Sequence, residues 1–187
     1  MNFLIAGAGA VGSHYGSLLQ QAGFEVQLLA RGAHLKALQA GGLRHETDGK
    51  TVDLELPAGD DPKLALDADV IIFCCKTTGL AAMCEELQPY VPPEVILVTL
   101  QNGVTAPDAV QGWFPDNAIL AGSAFIGTRL EAPGHVIHSA AGHLRLGHWH
   151  GEDAQVLEPV AAAFREAGVD CQVVDDPRRL LWHKMLW

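Results

Sequence analysis

A glycine-rich turn near the N-terminus is the first feature of the sequence whose residue types and spacing suggest chemistry. It reads Gly7-Ala8-Gly9-Ala10-Val11-Gly12, after an apolar run and before residues with helical spacing. Gly7 permits a tight turn, Gly9 lets the backbone approach a pyrophosphate, and Gly12 allows close helix packing. The start of the following helix offers free N–H groups to an anion. The pattern therefore predicts a dinucleotide site, and a purely structural glycine turn is the alternative.

A basic residue follows the strand that comes after this helix. Dinucleotide-binding units that select NAD place an Asp or Glu there for the ribose hydroxyls, about twenty residues after the glycines. This sequence instead reads Ala30-Arg31-Gly32. A guanidinium can pair with a 2′-phosphate through two parallel hydrogen bonds and can stack on adenine. Arg31 therefore predicts a preference for NADP(H), and a solvated surface arginine is the alternative.

Two polar residues follow predicted buried strands. Lys76 comes after residues 70–75, and Asn102 comes after residues 95–100. Because open α/β sheets bind ligands outside the carboxyl ends of their strands, both side chains are expected to face one crevice. The ammonium group suits a phosphate or a carboxylate, and the amide suits a nicotinamide, ribose or substrate oxygen. Simple turn formation at Asn102-Gly103 is the competing interpretation.

A lysine lies inside the apolar stripe of the last predicted helix. Lys184 follows Leu180 by four residues and Leu181 by three, and it precedes Trp187 by three, so these residues share a face. Partial burial lowers the pKa of an ammonium group, which suits a general acid near neutral pH. A lysine that buries only its stem and extends its head into solvent is the alternative.

The hydrophobic pattern around these residues predicts alternating strands and helices. Residues 2–30 form a strand, the glycine turn, a helix and a second strand, which is a βαβ unit. A helix over residues 33–40 precedes a hairpin around Asp48-Gly49. The buried strands that precede Lys76 and Asn102 each lead into a helix. We therefore predict an α/β fold with a Rossmann-like, doubly wound and mostly parallel sheet.

The pattern changes between residues 118 and 147. Short strands with turn signals at Pro133-Gly134 and Ala141-Gly142 predict an antiparallel extension of the sheet. An amphipathic helix over residues 152–167 and an edge strand over residues 171–174 follow.

The last predicted helix starts at Asp176-Pro177, which combines an acidic N-cap with proline at the first helical position. The helix is apolar, and the sequence stops without Gly, Asn or Pro to end it. We therefore expect residues 1–175 to form the cofactor-binding domain. Residues 176–187 are expected to begin a helical second domain that is otherwise absent.

Composition and charge exclude several classes of partner. The chain is 49% apolar and 18% charged, with a formal net charge of −10, which argues against a nucleic acid or an anionic membrane. No apolar run approaches the roughly 20 residues of a spanning helix. The N-terminus does not read as a signal peptide, and the four cysteines form no CxxC pair. We expect a cytoplasmic protein with reduced thiols.

Three histidines near one another raise the question of a metal. They are His143, His148 and His150, and the last two flank Trp149. No carboxylate or cysteine accompanies them at a convincing spacing. We therefore predict no metal site.

The chain resembles the ketopantoate reductase (2-dehydropantoate 2-reductase) family over nearly its whole length. The matching features are the glycine turn, Arg31, Cys75-Lys76-Thr77, Leu100-Gln101-Asn102-Gly103, the Pro133-Gly134 region and Leu181-Trp182-His183-Lys184-Met185.

The resemblance implies NADPH-dependent reduction of 2-dehydropantoate to pantoate, for pantothenate and coenzyme A biosynthesis. Lys184 would be the acid that protonates the developing alkoxide, while Lys76 and Asn102 would help hold cofactor and substrate. Family members continue into a helical domain that supplies a catalytic Glu and polar substrate ligands. The resemblance therefore implies that this chain is the cofactor-binding part, with NADPH binding and little or no turnover on its own.

Other functions remain open. One is a related β-hydroxyacid or glycerol-phosphate type dehydrogenase, against which the Asn102 turn and the Lys184 helix argue. Another is a non-catalytic NADP-binding or redox-sensing domain. Trp182 and Trp187 need cover, so a second domain or a homodimer is expected to pack on them.

Overall fold

A computed structural model of the chain describes residues 1–151 and 154–186. Ten strands of the described residues form one sheet. They are β1 (Asn2–Ala6), β2 (Glu25–Leu29), β3 (Leu43–Thr47), β4 (Lys50–Leu54), β5 (Ala58–Gly59), β6 (Val70–Phe73), β7 (Ile96–Thr99), β8 (Ile119–Ala132), β9 (His135–His148) and β10 (Cys171–Val173).

Six α-helices connect or cover these strands. They are α1 (Ala10–Gln21), α2 (Gly32–Gly41), α3 (Thr77–Leu87), α4 (Ala106–Trp113), α5 (Ala154–Glu166) and α6 (Pro177–Met185). The strand order is β4-β3-β9-β8-β7-β6-β1-β2-β5, and β10 pairs with β9 beside this row. Strands β8, β7, β6, β1, β2 and β5 are parallel neighbours.

The core lies on both faces of the sheet. Along β1, Phe3 and Ile5 belong to one apolar cluster, whereas Leu4 and Ala6 belong to a second one, because successive strand residues point to opposite faces. Helices α1, α2 and α5 complete the first cluster, and α3, α4 and α6 complete the second. The predicted Rossmann-like, doubly wound sheet is confirmed.

The antiparallel extension is confirmed, but its internal division differs from the prediction. Two long strands, β8 and β9, replace the expected short ones, and they turn at Pro133-Gly134. Ala141 and Gly142 were predicted to mark a turn. They lie inside β9 with φ values of 58° and 111°, and the pairing register with β8 shifts there. Ala141-Gly142 therefore forms a β-bulge and not a turn, because residues with positive φ occur in both.

The last helix starts as predicted. The Asp176 carboxylate accepts a hydrogen bond of 2.8 Å from the backbone N–H of Arg179, and proline occupies the first turn. Leu181 is only 4% exposed in the core, whereas Trp182 is 56% exposed. Trp187 lies outside the described residues, as does Glu152, where the preceding helix was predicted to begin. The division at residue 175 and self-association through this helix stay predictions.

None of the helices in the described ranges is both long enough and apolar enough to cross a membrane.

Candidate functional site

The glycine turn combines two tightly packed glycines with one open position. Gly7 has a φ of 99°, and a Cβ there would lie 2.5 Å from the backbone nitrogen of Cys75. A Cβ on Gly12 would lie 2.5 Å from the Gly7 carbonyl oxygen. A Cβ on Gly9 would meet no described atom within 4 Å. Packing therefore requires glycine at Gly7 and Gly12, whereas the Gly9 backbone faces open space.

The start of α1 has the features of an anion site. Ala10 begins the helix, and within the described part of the chain no side chain caps its first turn and no acidic residue stands in it. The first N–H groups of a helix lack intrahelical partners. Together with Val11 and Gly12, Ala10 therefore offers donors and a partial positive charge to a bound anion.

A histidine that the sequence reasoning missed supports this turn. The Ser13 hydroxyl donates to the Ala8 carbonyl at 3.1 Å, and His34 Nε2 lies 3.3 Å from the same hydroxyl oxygen. His34 Nδ1 accepts the Gly134 N–H at 3.0 Å. Nε2 therefore carries the ring proton, and burial lowers the pKa of His34. The signal in the sequence that could have pointed to His34 is its position three residues after Arg31, in the predicted helix over residues 33–40.

A cleft of about 350 Å³ lies beside the glycine turn. Its lining includes Gly7, Ala8, Gly9, Arg31, His34 and Lys76. The structure thus brings together Arg31 and Lys76, which the sequence placed at the ends of two different strands. Lys76 is exposed at the start of α3. Two cationic side chains and the glycine turn that leads into α1 therefore line one cavity.

Arg31, which lines this cleft, has an acidic partner on α3. Its Nη2 atom donates to Oε2 of Glu86, which lies near the end of α3. The sequence reasoning missed Glu86, because a partner 55 residues away depends on how the fold places α3 beside the start of α2.

The second part of the site is a pair that was predicted from separate motifs. Lys184 Nζ donates to Asn102 Oδ1 at 2.9 Å and to the Ala124 carbonyl oxygen at 2.6 Å. The same Nζ lies 5.0 Å from the centre of the Phe125 ring. The sequence did not reveal Ala124 or Phe125, because a backbone carbonyl and a ring on β8 carry no motif of their own.

The surroundings of Lys184 change its proton affinity. Burial lowers the pKa of Lys184, because the charged form loses solvation. An ammonium group has three N–H donors, and two are engaged by Asn102 and Ala124. Among the residues that the structure describes, no other group accepts a hydrogen bond from the third donor, so it is available to an oxygen of a bound molecule.

Gln101 connects the two parts of the site. Its Nε2 donates to Cys75 Sγ at 3.7 Å, and Cys75 is the residue that packs on Gly7. Gln101 Oε1 is buried and has no hydrogen-bond partner among the described atoms. The Asn102 turn and the glycine turn therefore meet at the carboxyl ends of β7, β6 and β1, with an unsatisfied acceptor between them.

A histidine cluster that no sequence motif predicted lies behind the bulge of β9. His14 Nδ1 lies 3.0 Å from His45 Nε2, and His45 Nδ1 lies 3.0 Å from the Ser17 hydroxyl. The His138 ring centre lies 4.4 Å from that of His14, and His138 Nε2 reaches the Ala141 carbonyl at 3.1 Å. The histidine cluster (His14, His45 and His138) therefore packs directly on the bulge.

The histidines considered for a metal lie elsewhere. His143 stacks on Phe125 with ring centres 4.9 Å apart, and His150 is exposed. Over residues 1–151 and 154–186, no group of three or more His, Cys, Asp or Glu side chains is placed to hold a metal ion.

The fold and the cleft define a Rossmann-like domain with a candidate dinucleotide site. A sequence model described as "Ketopantoate reductase PanE/ApbA" matches residues 3–151. The chain belongs to this ketopantoate reductase family, whose members are oxidoreductases.

Relatives and solved structures agree with this assignment. The 2-dehydropantoate 2-reductase of Halobacterium salinarum is 30% identical over 188 residues, which cover 100% of this chain and 62% of the relative. The 2-dehydropantoate 2-reductase structure from Geobacter metallireducens matches with a TM-score of 0.93 and 33% identity, over 100% of this chain and 62% of that one. A ternary structure of D-mandelate dehydrogenase with NADH and anilino(oxo)acetate matches with a TM-score of 0.90 and 28% identity, over 98% of this chain and 60% of that one. The chain thus spans about three fifths of these proteins.

Proposed function

We propose that this chain is the NADPH-binding part of a reductase that converts 2-dehydropantoate to pantoate. The observation that supports this best is the 2.9 Å hydrogen bond between Lys184 Nζ and Asn102 Oδ1. It joins two of the motifs that carry the family resemblance, beside the cleft where a nicotinamide would bind. Such a cofactor supplies a hydride when bound.

The residues around the cleft fit a phosphorylated dinucleotide. The uncapped first turn of α1 would hold the pyrophosphate through the N–H groups of Ala10, Val11 and Gly12. Arg31 would bind the 2′-phosphate, and Lys76 would add a second positive charge to the same cavity. Gln101 Oε1 offers a buried acceptor to a polar group of the ligand.

Lys184 would act as the acid of the reaction. Its Nζ is held by Asn102 and Ala124, so the remaining N–H is fixed in direction and can donate to a carbonyl oxygen of a 2-keto acid. The lowered pKa of Lys184 eases proton delivery as negative charge develops on that oxygen. Asn102 would orient Lys184 and contact cofactor or substrate through its amide.

A related 2-keto acid reductase is the second candidate. The D-mandelate dehydrogenase complex contains NADH and anilino(oxo)acetate, so a bulkier substrate and the unphosphorylated cofactor are compatible with this fold. The remaining two fifths of the relatives' length would select between these substrates.

The test has a binding arm and a turnover arm. We expect the 187-residue chain to bind NADPH, observed as enhanced nicotinamide fluorescence, and the full-length gene product to oxidise NADPH with 2-dehydropantoate. In the full-length product, Lys184→Ala is expected to lower kcat by about 10² to 10⁴ while the Kd for NADPH changes less than about twofold. Exposed His183 is the matched control, and His183→Ala should leave kcat unchanged. Absence of NADPH binding, or full activity of Lys184→Ala, would refute the proposal.

A further inference from the structure

The ion pair between Arg31 and Glu86 lies at the place where the cofactor choice would be made. Arg31 occupies the N-cap position of α2, two residues after the end of β2, and its ion-pair partner Glu86 lies on α3. The side chains are 53% and 39% exposed. A pair this exposed contributes little to stability. The pair matters instead for electrostatics, because the Glu86 carboxylate weakens the attraction of Arg31 for a further negatively charged group.

The pair also provides a chemical group that the sequence lacks at this position. Units that select NAD use a carboxylate after the second strand to accept hydrogen bonds from the ribose hydroxyls. Here that position is Arg31, but the fold brings the Glu86 carboxylate beside it from another helix. A guanidinium suited to a 2′-phosphate and a carboxylate suited to a 2′-hydroxyl therefore stand side by side.

We propose that Glu86 is a specificity-determining residue that weakens NADPH and supports NADH, so that the chain accepts both cofactors. The inference rests on the proposed function, because it requires a nicotinamide dinucleotide in the cleft. A 2′-phosphate carries a charge of about −1.5 to −2, and it must share Arg31 with Glu86 or displace it. NADH has no such charge, and its 2′-hydroxyl can donate to the carboxylate.

The geometry of the guanidinium favours sharing over displacement. Glu86 occupies the Nη2 side of Arg31, and a guanidinium has five N–H donors in a planar fork. Donors therefore remain for the phosphate, but the carboxylate stays within a few ångströms of it and repels it. Lys76 lines the same cleft and offsets part of this repulsion, which explains how NADPH binding would persist.

The experiment compares the affinities of two cofactors for three forms of the 187-residue chain. The Kd values of NADPH and NADH are measured by nicotinamide fluorescence for the wild type, Glu86→Gln and Glu85→Gln. Glu85 is the matched control, because it is an exposed neighbour on α3 and its replacement changes the net charge equally. We expect Glu86→Gln to lower the Kd of NADPH about tenfold and to raise the Kd of NADH by up to about threefold. Glu85→Gln should change either Kd less than about twofold.

A second comparison separates a local effect from a general one. In an Arg31→Ala background, Glu86→Gln should change the ratio of the two Kd values clearly less than it does in the wild type, since competition for Arg31 is then absent and only the direct effects of the carboxylate on the 2′-phosphate and the 2′-hydroxyl remain. Thermal melting confirms that each variant folds.

The outcomes distinguish this inference from the function on which it rests. If the wild type binds NADPH but Glu86→Gln leaves the ratio of the two Kd values unchanged, Glu86 has no part in specificity and the proposed function stands. Equal shifts for Glu85→Gln and Glu86→Gln would also overturn the inference, because they would reflect net charge alone. If the wild type binds neither cofactor, both proposals fail.

Discussion

The histidine cluster makes the fold sensitive to acid in a way that a single substitution tests. His14 is 2% exposed, and its burial, with smaller contributions from His138 and His45, lowers the pKa of His14 to about 3. The ordinary value is 6.5. The unfolded chain therefore binds a proton at this residue where the folded chain does not. The stability that His14 contributes is complete above its unfolded pKa and is lost as the pH falls toward 3.

The size of this loss follows from the two pKa values. Between about pH 7.5 and about pH 5, a histidine with these values removes about 2 kcal/mol from the free energy of unfolding. Burial also lowers the pKa of His45, so the wild type is expected to lose more than this one contribution.

His14→Asn is the informative substitution, because an Asn amide can still donate to His45 Nε2 and does not titrate. We expect the variant to be less stable at neutral pH, since the ring leaves a space behind. The stability that it loses between about pH 7.5 and about pH 5 should nevertheless be about 2 kcal/mol smaller than in the wild type. Urea unfolding followed by circular dichroism at several pH values measures both quantities.

Exposed His150 provides the control, because His150→Asn removes a histidine without emptying the core. It should leave the pH dependence unchanged to within about 0.5 kcal/mol. If His14→Asn loses as much stability on acidification as the wild type, burial of His14 is not a source of the acid sensitivity.

Four further substitutions test the packing around the site by thermal or urea unfolding, and Gly9→Ala is tested by NADPH binding as well. Gly12→Ala should destabilise the fold by about 1–3 kcal/mol, because its Cβ would strike the Gly7 carbonyl. Gly9→Ala should leave stability unchanged to within about 0.5 kcal/mol. It should weaken NADPH binding, measured by nicotinamide fluorescence, since its Cβ would enter the open side of the turn. Leu181→Ala should cost about 2–5 kcal/mol in the core, whereas the exposed Met185→Ala should cost little. A small effect of Leu181→Ala would mean that α6 is not anchored on the sheet.

Local signals in the sequence were sufficient to predict α1 and the hairpin of β3 and β4. The helix predicted after the glycine turn is observed as α1 (Ala10–Gln21), because the glycine turn fixes its start and Gly23, with a φ of 93°, fixes its end. The hairpin around Asp48-Gly49 was found for the same reason, since both residues have positive φ and Gly adopts it readily. An element could therefore be predicted from the sequence where the residues that determine it are its neighbours in the chain.

The bulge of β9 shows where such signals stop. Ala141-Gly142 carries the signature of positive φ, and that signature is shared by a turn and a bulge. The partner strand decides between them, and β8 continues past this point for six more residues to Ala132. Helical spacing likewise placed Lys184 within an apolar stripe, but its bond to Asn102 spans 82 residues and required α6 to pack on β8.

The same bulge connects the acid-sensitive cluster to the proposed catalytic lysine. The register of β8 and β9 shifts directly after Phe125, the residue whose ring lies beneath Lys184 Nζ, and the preceding carbonyl accepts a hydrogen bond from that Nζ. The histidine cluster holds the opposing strand at the bulge, where His138 reaches the Ala141 carbonyl. Protonation that breaks the hydrogen bonds of the histidine cluster would therefore shift β8 at the residues that contact Lys184. His14→Asn should for this reason make the hydrogen bond between Lys184 and Asn102, like the free energy of unfolding, less dependent on pH.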